Sequence, residues 1–349
     1  MLTRRSILRL AALTPAFWSP PGPPLLGRVV PAAAAQDAEW PKVVEAAKRE
    51  GRVVVYNGAV GNPVLPRIAA AFEARHKIRM ELLEARASEI RERIRTEQAA
   101  GKVSADVLHD GSTTTALQLA EGRFQPHGPL PNAKRPVPPY AVDEIRIPIF
   151  VIRYGILVNT DLVKPGEEPK TWHDLLNPRW KGKILFDDMR AIGGGALFFM
   201  VTMEKFGKDF HDKLAEQQLH MNRELRGNYP RIARGEYAVY APFGLADMQD
   251  LKGLPLKAIV PPEGVPYVLF NGSILKGAPR PNAARVFLDF LLSDEAQLLY
   301  GQAGYGMVVD GLEGRVGPDA RAIGQVKLLG TTDPKKQEEM MKLARQIYK

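Results

Sequence analysis

Between residues 52 and 120 the chain repeats one pattern three times, a short apolar strand followed by an amphipathic helix, and few folds accommodate that order. Strand RVVVY (52–56) passes through the turn NGAVGNP to a helix with Leu65, Ile68 and Phe72 on one face. Strand IRMELLE (78–84) precedes helix SEIRERIRTEQAA (88–100), with Ile90 and Ile94 inward. Strand ADVLH (105–109) then leads through DGSTTT to a helix carrying Ala116, Leu117 and Ala120. Apolar runs of four to eight residues alternating with 3.6-residue periodicity predict β-α-β-α-β-α, hence a parallel sheet covered by helices with right-handed crossovers. Ligands of such sheets bind beyond the carboxyl ends of the strands, where both NGAVGN and DGSTTT lie.

Residues 123–140 hold six prolines and read as an irregular connection. The extended segment IRIPIFVIRYGILVN (145–159) is longer than one average strand requires and could pass into a second domain. That region alternates again: helix TWHDLLN (171–177), strand KILF (183–186), a Gly-rich start to helix ALFFMVTMEKF (196–206), a helix around FHDKLAEQQ (210–218), GNYPRIARG and strand EYAVYA (236–241). A second extended stretch near 256–276 could pass back. It leads to helix NAARVFLDFLL with Val286, Phe287 and Leu291 inward, then to Ser293 as N-cap of DEAQLLYGQ. The chain closes on a helix begun by Asp333-Pro334, with Met340, Leu343 and Ile347 on one face.

The 349 residues suggest about two domains. A 45% hydrophobic, 25% charged composition excludes disorder and multi-span membrane classes. With no cysteine there is neither a disulfide framework nor a thiolate site. Residues 1–35 hold no acidic residue, open with Thr3-Arg4-Arg5-Ser6 and continue through LAALTPAFW to AAAAQ; they read as an export signal of twin-arginine type, with cleavage near Ala35 and a periplasmic mature protein. Without Arg4, Arg5, Arg9 and Arg28 the formal charge falls from +9 to +5. That mild bias favours anionic ligands and does not argue for nucleic acid.

Signatures of several enzymes are missing: there is no G-x-S-x-G, no Walker loop, no H-E-x-x-H, and no G-x-G-x-x-G after a strand. The six histidines lack metal-ligand spacing, with His109 the least settled because it ends a strand. Carboxylates in SEIRERIRTE and KKQEEMMK sit beside basic residues at helical spacing, as on a solvated face. Four strand ends do run into small polar residues at a helix start: Asn57-Gly58, Gly111-Ser112-Thr113-Thr114, Gly193-Gly194-Gly195 and Gly227-Asn228-Tyr229. Each offers unpaired N–H donors to a polar ligand, and each alone also reads as an ordinary cap.

TWHDLLNPRWKGKILFDD (171–188), ARGEYAVYA (233–241) and SILKGAPRPNAARVFLDFLLSDEAQ (273–297), supported by VVVYNG and YGILVNTDLV, resemble the periplasmic solute-binding proteins of ABC importers, type-2 topology, in the branch containing ferric-ion-binding proteins. The resemblance implies an α/β fold of two lobes, each with a parallel-core sheet, joined by two crossing strands that act as a hinge. Residues 37–148 and 266–310 would form lobe 1, residues 153–265 lobe 2, and residues 311–349 a C-terminal helical tail packing on both. It also implies a monomer without cofactor or catalysis, which captures one solute in the cleft and passes it to an inner-membrane ABC permease.

Placed in such a cleft, Asn57, Gly58, Ser112, Thr113, Thr114, Gly194, Gly195, Asn228 and Tyr229 are expected to donate hydrogen bonds. Arg153 is expected to pair with charge, and Tyr240 or Phe243 to stack on the solute or wall the pocket. Iron-binding members hold the metal with two adjacent tyrosines after the strand corresponding to EYAVY. This chain has no adjacent tyrosine pair, and Tyr229, Tyr237 and Tyr240 stand apart. The net positive charge and the Gly/Ser/Thr helix starts point to a small polar solute that is anionic or phosphate-bearing. The alternatives are a ferric ion held by the separate tyrosines and, from another class, an exported α/β hydrolase or lyase.

Overall fold

The computed structural model describes residues 32–349 apart from Leu225; the export signal expected at 1–35 lies outside them but for its last four residues. Along the chain, α1 (Ala32–Glu50), β1 (Arg52–Asn57), α2 (Leu65–His76), β2 (Arg79–Glu84), α3 (Ala87–Ala99), β3 (Val107–Gly111) and α4 (Ser112–Ala120) follow the predicted alternation. After β4 (Phe124–Gln125) the chain runs through β5 (Arg146–Asn159) into β6 (Ile184–Asp187), α5 (Gly194–Ala215), β7 (His220–Asn222), α6 (Asn228–Ala233), β8 (Val239–Gly244) and β9 (Leu256–Ile259). It returns along β10 (Val265–Leu275) to α7 (Pro281–Leu291), α8 (Asp294–Gln302), β11 (Gly306–Met307), α9 (Pro318–Gly324), β12 (Leu328–Gly330) and α10 (Gln337–Ile347).

Among the described residues the main strand order is β2-β1-β3-β10-β5-β8-β6-β7. The two ends are parallel, β1 with β2 and β3 in the first half, β6 with β7 and β8 in the second. The centre is antiparallel: β10 pairs with β3 and β5, and β5 with β8. The molecule is thus the two-lobed α/β fold with parallel-core sheets, and β5 and β10 are the crossing strands. Ile147, Ile149 and Phe150 at the start of β5 enter the first core, where Phe72 meets Phe287 edge-on at 5.2 Å between ring centroids. Ile156 and Val158, further along the same strand, enter the second core with Trp172, Phe186 and Phe198.

Two local expectations change. TWHDLLN forms two 3-10 turns, His173–Leu176 and Pro178–Trp180, because Pro178 cannot donate a helical hydrogen bond and Asn177 caps the second turn by accepting from the Arg179 N–H at 3.0 Å. The helices expected at 196–206 and 210–218 both form, α5 bending between them at Gly207, whose φ of 78° only glycine adopts without strain, and the second stops at Ala215, short of Gln218. Ser293 does cap α8, accepting from the Ala296 N–H at 3.4 Å.

The hinge depends on the missing side chain at Gly155 in β5. A Cβ there would lie 2.6 Å from the Ile259 carbonyl oxygen and 2.7 Å from a Leu245 methyl, so the strand would have to move off its neighbours. Gly155→Ala is expected to cost about 1–3 kcal/mol of stability, read as a lower urea midpoint at unchanged slope; an unchanged midpoint would show that β5 is not so tightly packed against β9 and Leu245.

Candidate functional site

Strand parity decides what the crossing strands show to the cleft, since successive side chains point to opposite faces. Ile152 and Tyr154 of β5, with Val268 and Phe270 of β10, line the space between the lobes. Arg153 lies between them in sequence and therefore turns to the other face, buried beside Gly306 and Tyr140, with its Nε and Nη1 unpartnered among the described residues. It lines no part of the cleft cavity.

That cavity has two adjoining chambers. The outer, of about 620 Å³, is lined from lobe 1 by Gly58 to Asn62 and Glu84 to Ala87, and from lobe 2 by Asp187, Arg223, Glu224, Arg226, Tyr229 and Asp247, with Tyr154 and Tyr305 between. The inner, of about 150 Å³, adds Asp110, Gly111, Thr113, Thr114, Gly194, Leu197, Met200 and two residues of the C-terminal segment, Thr332 and Gln337. Both share Gly58, Ala59, Ile152, Tyr154 and Gly193. A more open depression of about 600 Å³ along α3 belongs to lobe 1 alone.

The strand ends bring their acids to this cavity. Asp110 is the penultimate residue of β3 and Asp187 the last of β6, both buried: the N–H of Gly111, the N-cap of α4, reaches Asp110 Oδ1 and the Gly195 N–H in the first turn of α5 reaches Asp187 Oδ2, both at 2.7 Å. Two of the helix starts expected to face a solute are thus partly answered from within the protein, which uses the favourable field of about 0.3–1 kcal/mol at each helix start. Burial pushes the Asp110 carboxyl up to about 7 and that of Asp187 up to about 6, with the backbone donors opposing. Gly58 makes room for this arrangement, because a Cβ on it would overlap the Asp110 carboxylate.

On the lobe 2 side, Arg226 donates to Asp247 at 2.6 Å and the Tyr229 hydroxyl donates to the same carboxylate. Burial raises the phenols of Tyr154, Tyr229 and Tyr305 above their ordinary range. Arg86 caps α3 and pairs with Glu89 at 3.1 Å. Glu84 accepts from Asn57 Nδ2 at 2.8 Å and from the Gly61 N–H at 3.1 Å. The lining therefore mixes Glu84, Glu89, Asp110, Asp187, Glu224 and Asp247 with Arg86, Arg223 and Arg226. The positive charge of the chain is not concentrated here.

Of the residues singled out from sequence, Gly58, Thr113, Thr114, Gly194 and Tyr229 line the cavity. Ser112 lines neither chamber. Asn57 is buried behind it, its amide taken by Ala59 and Glu84 and its Oδ1 by His109 at 2.8 Å. His109 is held neutral there, its pKa pushed down to about 4 by burial. The N–H of Gly195 is taken by Asp187, and Asn228 is buried in a reciprocal amide pair with Asn222 at 2.7 and 2.9 Å. Tyr240 and Phe243 are fully buried behind Tyr229 and do not wall the pocket. Sequence reading missed Asp110, Asp187, Asp247 and Tyr154. The signal for the first two was an aspartate at or next to the last position of an apolar strand before a Gly-containing helix start.

With the geometry in place, the chain can be set beside known proteins. Residues 53–306 match the family model described as bacterial extracellular solute-binding protein. The chain is a bacterial extracellular solute-binding protein. It is 30% identical over 278 residues to an uncharacterised protein of Haemophilus influenzae, covering 74% of this chain and 78% of that one. Its fold is similar to the substrate-binding protein of an ABC transporter from Agrobacterium tumefaciens, with a TM-score of 0.75 at 17% identity over 85% of this chain and 94% of the other. The periplasmic binding protein AfuA of Actinobacillus pleuropneumoniae, solved with fructose 6-phosphate bound, gives a TM-score of 0.68 at 24% identity over 86% and 97%. No helix among the described residues of this solute-binding protein is long and apolar enough to cross a membrane.

The buried Asp110 makes its stability depend on pH with a defined sign. A carboxyl whose native pKa is raised holds a proton that the unfolded chain releases, so the fold weakens as pH rises from about 4 to 7. Comparing wild type with Asp110→Asn isolates this group from its neighbours: the wild type is expected to lose on the order of 4 kcal/mol relative to the variant over that window. Parallel urea titrations at pH 4.5 and 7.5 check it, and a constant difference would mean the carboxylate is not held in a desolvated site.

Proposed function

We propose that this protein is the substrate-binding component of an ABC importer, a periplasmic monomer exported by the twin-arginine route, which encloses a small organic anion or phosphate-bearing solute between its lobes. The observation that carries this reading is the 620 Å³ chamber lined from both lobes by charged and tyrosyl side chains: closure around a solute would shift an open–closed equilibrium by the differential affinity for the closed state. The mixed lining refines the solute. Arg86, Arg223 and Arg226 suit an anionic group, while Asp110, Asp187 and Glu224 suit hydroxyl or amino hydrogens on the same molecule, as a sugar phosphate would carry. Delivery to a permease needs no bond-making step, and the cavity is read as a binding site without catalysis.

Thermal unfolding with fructose 6-phosphate, inorganic phosphate, spermidine and ferric citrate tests the solute class. A phosphate-bearing compound is expected to stabilise the fold, by about 2.7 kcal/mol at one hundred times its Kd. Stabilisation by spermidine alone would overturn the anionic reading.

A ferric ion is the second reading, favoured by three tyrosines, Tyr154, Tyr229 and Tyr305, on one cavity. Against it, burial keeps those phenols protonated, and the described residues contain no group of three or more His, Asp and Glu placed to hold a metal. A hard ferric ion needs anionic oxygen ligands. The protein incubated with ferric citrate is expected to stay colourless; a visible absorption band abolished by a chelator would replace the anion reading with iron.

A further inference from the structure

The family match ends at residue 306, yet two later residues, Thr332 and Gln337, line the inner chamber. The C-terminal segment reaches it by a defined route. Ala320 of α9 joins the first core, β12 pairs in parallel with the crossing strand β10, and α10 places Ala344 and Tyr348 in the second core. Between those anchors the Thr332 hydroxyl meets that of Thr113 at the start of α4 in lobe 1. At the far end Tyr348 and His211 are joined through the hydroxyl and Nδ1 at 2.7 Å. Residues 332–337 thus pass the chamber while held at both ends.

Two of the residues around this chamber carry buried oxygens with no hydrogen-bond partner among the described residues, Asp110 Oδ2 and Gln337 Oε1. Gln337 is only 6% exposed. Buried polar atoms are nearly always partnered, and leaving one unmade is costly. One orphan from lobe 1 and one from the C-terminal segment around the same small space are what a site looks like before its ligand supplies the missing donors.

We propose that the C-terminal segment forms part of the solute site: Gln337 and Thr332 contact the bound solute, and a hydroxyl or ammonium group of that solute donates to the Gln337 and Asp110 oxygens in the inner chamber. The proposal rests on the receptor reading above and goes beyond it by naming a specificity element outside the family's common region. The far end of α10 is anchored in lobe 2 through Ala344 and Tyr348 while Thr332 touches Thr113 of lobe 1, so the segment at the chamber is tied to both lobes.

The test passes the low-molecular-mass fraction of a bacterial cell extract over immobilised protein and weighs the eluted small molecules, with fructose 6-phosphate and spermidine as competitors to separate hydroxyl from ammonium donors. Wild type is expected to retain a solute. Gln337→Ala, melting at the wild-type temperature, is expected to retain it about tenfold less well, the loss for one buried hydrogen bond. Should Gln337→Ala fail to fold, Thr332→Val is the second variant and is expected to weaken retention in the same direction. Retention unchanged in a folded variant overturns the proposal and leaves the receptor reading standing. No retention by wild type overturns both.

Discussion

The antiparallel pairing of β5 with β10 is the constraint on which the rest depends. From Tyr267 opposite Arg153 to Ser273 opposite Arg146 the two strands run side by side, and each continues into the sheet of the other half through β3 and β8. This pairing, whose register shifts between Phe270 and Asn271, thereby fixes two things at once. It sets the distance between two parallel sheets whose carboxyl ends must face a common space, and it selects which side chains of the crossing strands face that space. The stacking of Phe150 on Phe270 at 4.7 Å holds the pair together, while the Gly155 close approach seats β5 against Ile259 of β9 and Leu245.

The consequence is a cleft whose polar character comes from strand ends rather than from surface charge. Asp110 and Asp187 occupy similar places in the two halves, at the end of a strand and within reach of a backbone N–H at the start of the next helix. Their burial raises their proton affinity, and Asp110 Oδ2, without a hydrogen-bond partner among the described residues, is left able to accept from a ligand. The arginines are distributed differently: Arg226 is already paired with Asp247, Arg86 with Glu89, and Arg223 has an exposed side chain. A solute that satisfied both sets would need donors at one end and negative charge at the other.

The lobes were legible because their elements have strong periods: RVVVY, KILF and NAARVFLDFLL say strand or helix in any context. The crossing strands were legible by length. Side-chain roles within them were less so. Arg153 attracted notice as a charged residue in an apolar run, yet parity assigned the cleft to Ile152 and Tyr154, and only the strand pairing reveals which parity faces in. Asn57 and Asn228 looked like free donors at helix starts and are instead buried partners of Glu84 and Asn222. Tyr240 and Phe243 were read as wall residues, but every residue of β8 is buried, and both side chains pack in the core with Tyr229. The C-terminal contribution was invisible because nothing in the sequence of residues 328–337 says that they pass a cavity lined by α4.

A distance measurement across the cleft tests the central claim that the two halves close on a solute. The natural chain has no cysteine, so single cysteines introduced at the exposed Leu82 of lobe 1 and Leu162 of lobe 2 accept spin labels uniquely. With the low-molecular-mass fraction of a bacterial extract added, the distribution between the labels is expected to shift to shorter distances and narrow. An identical distribution with and without that fraction would contradict the account.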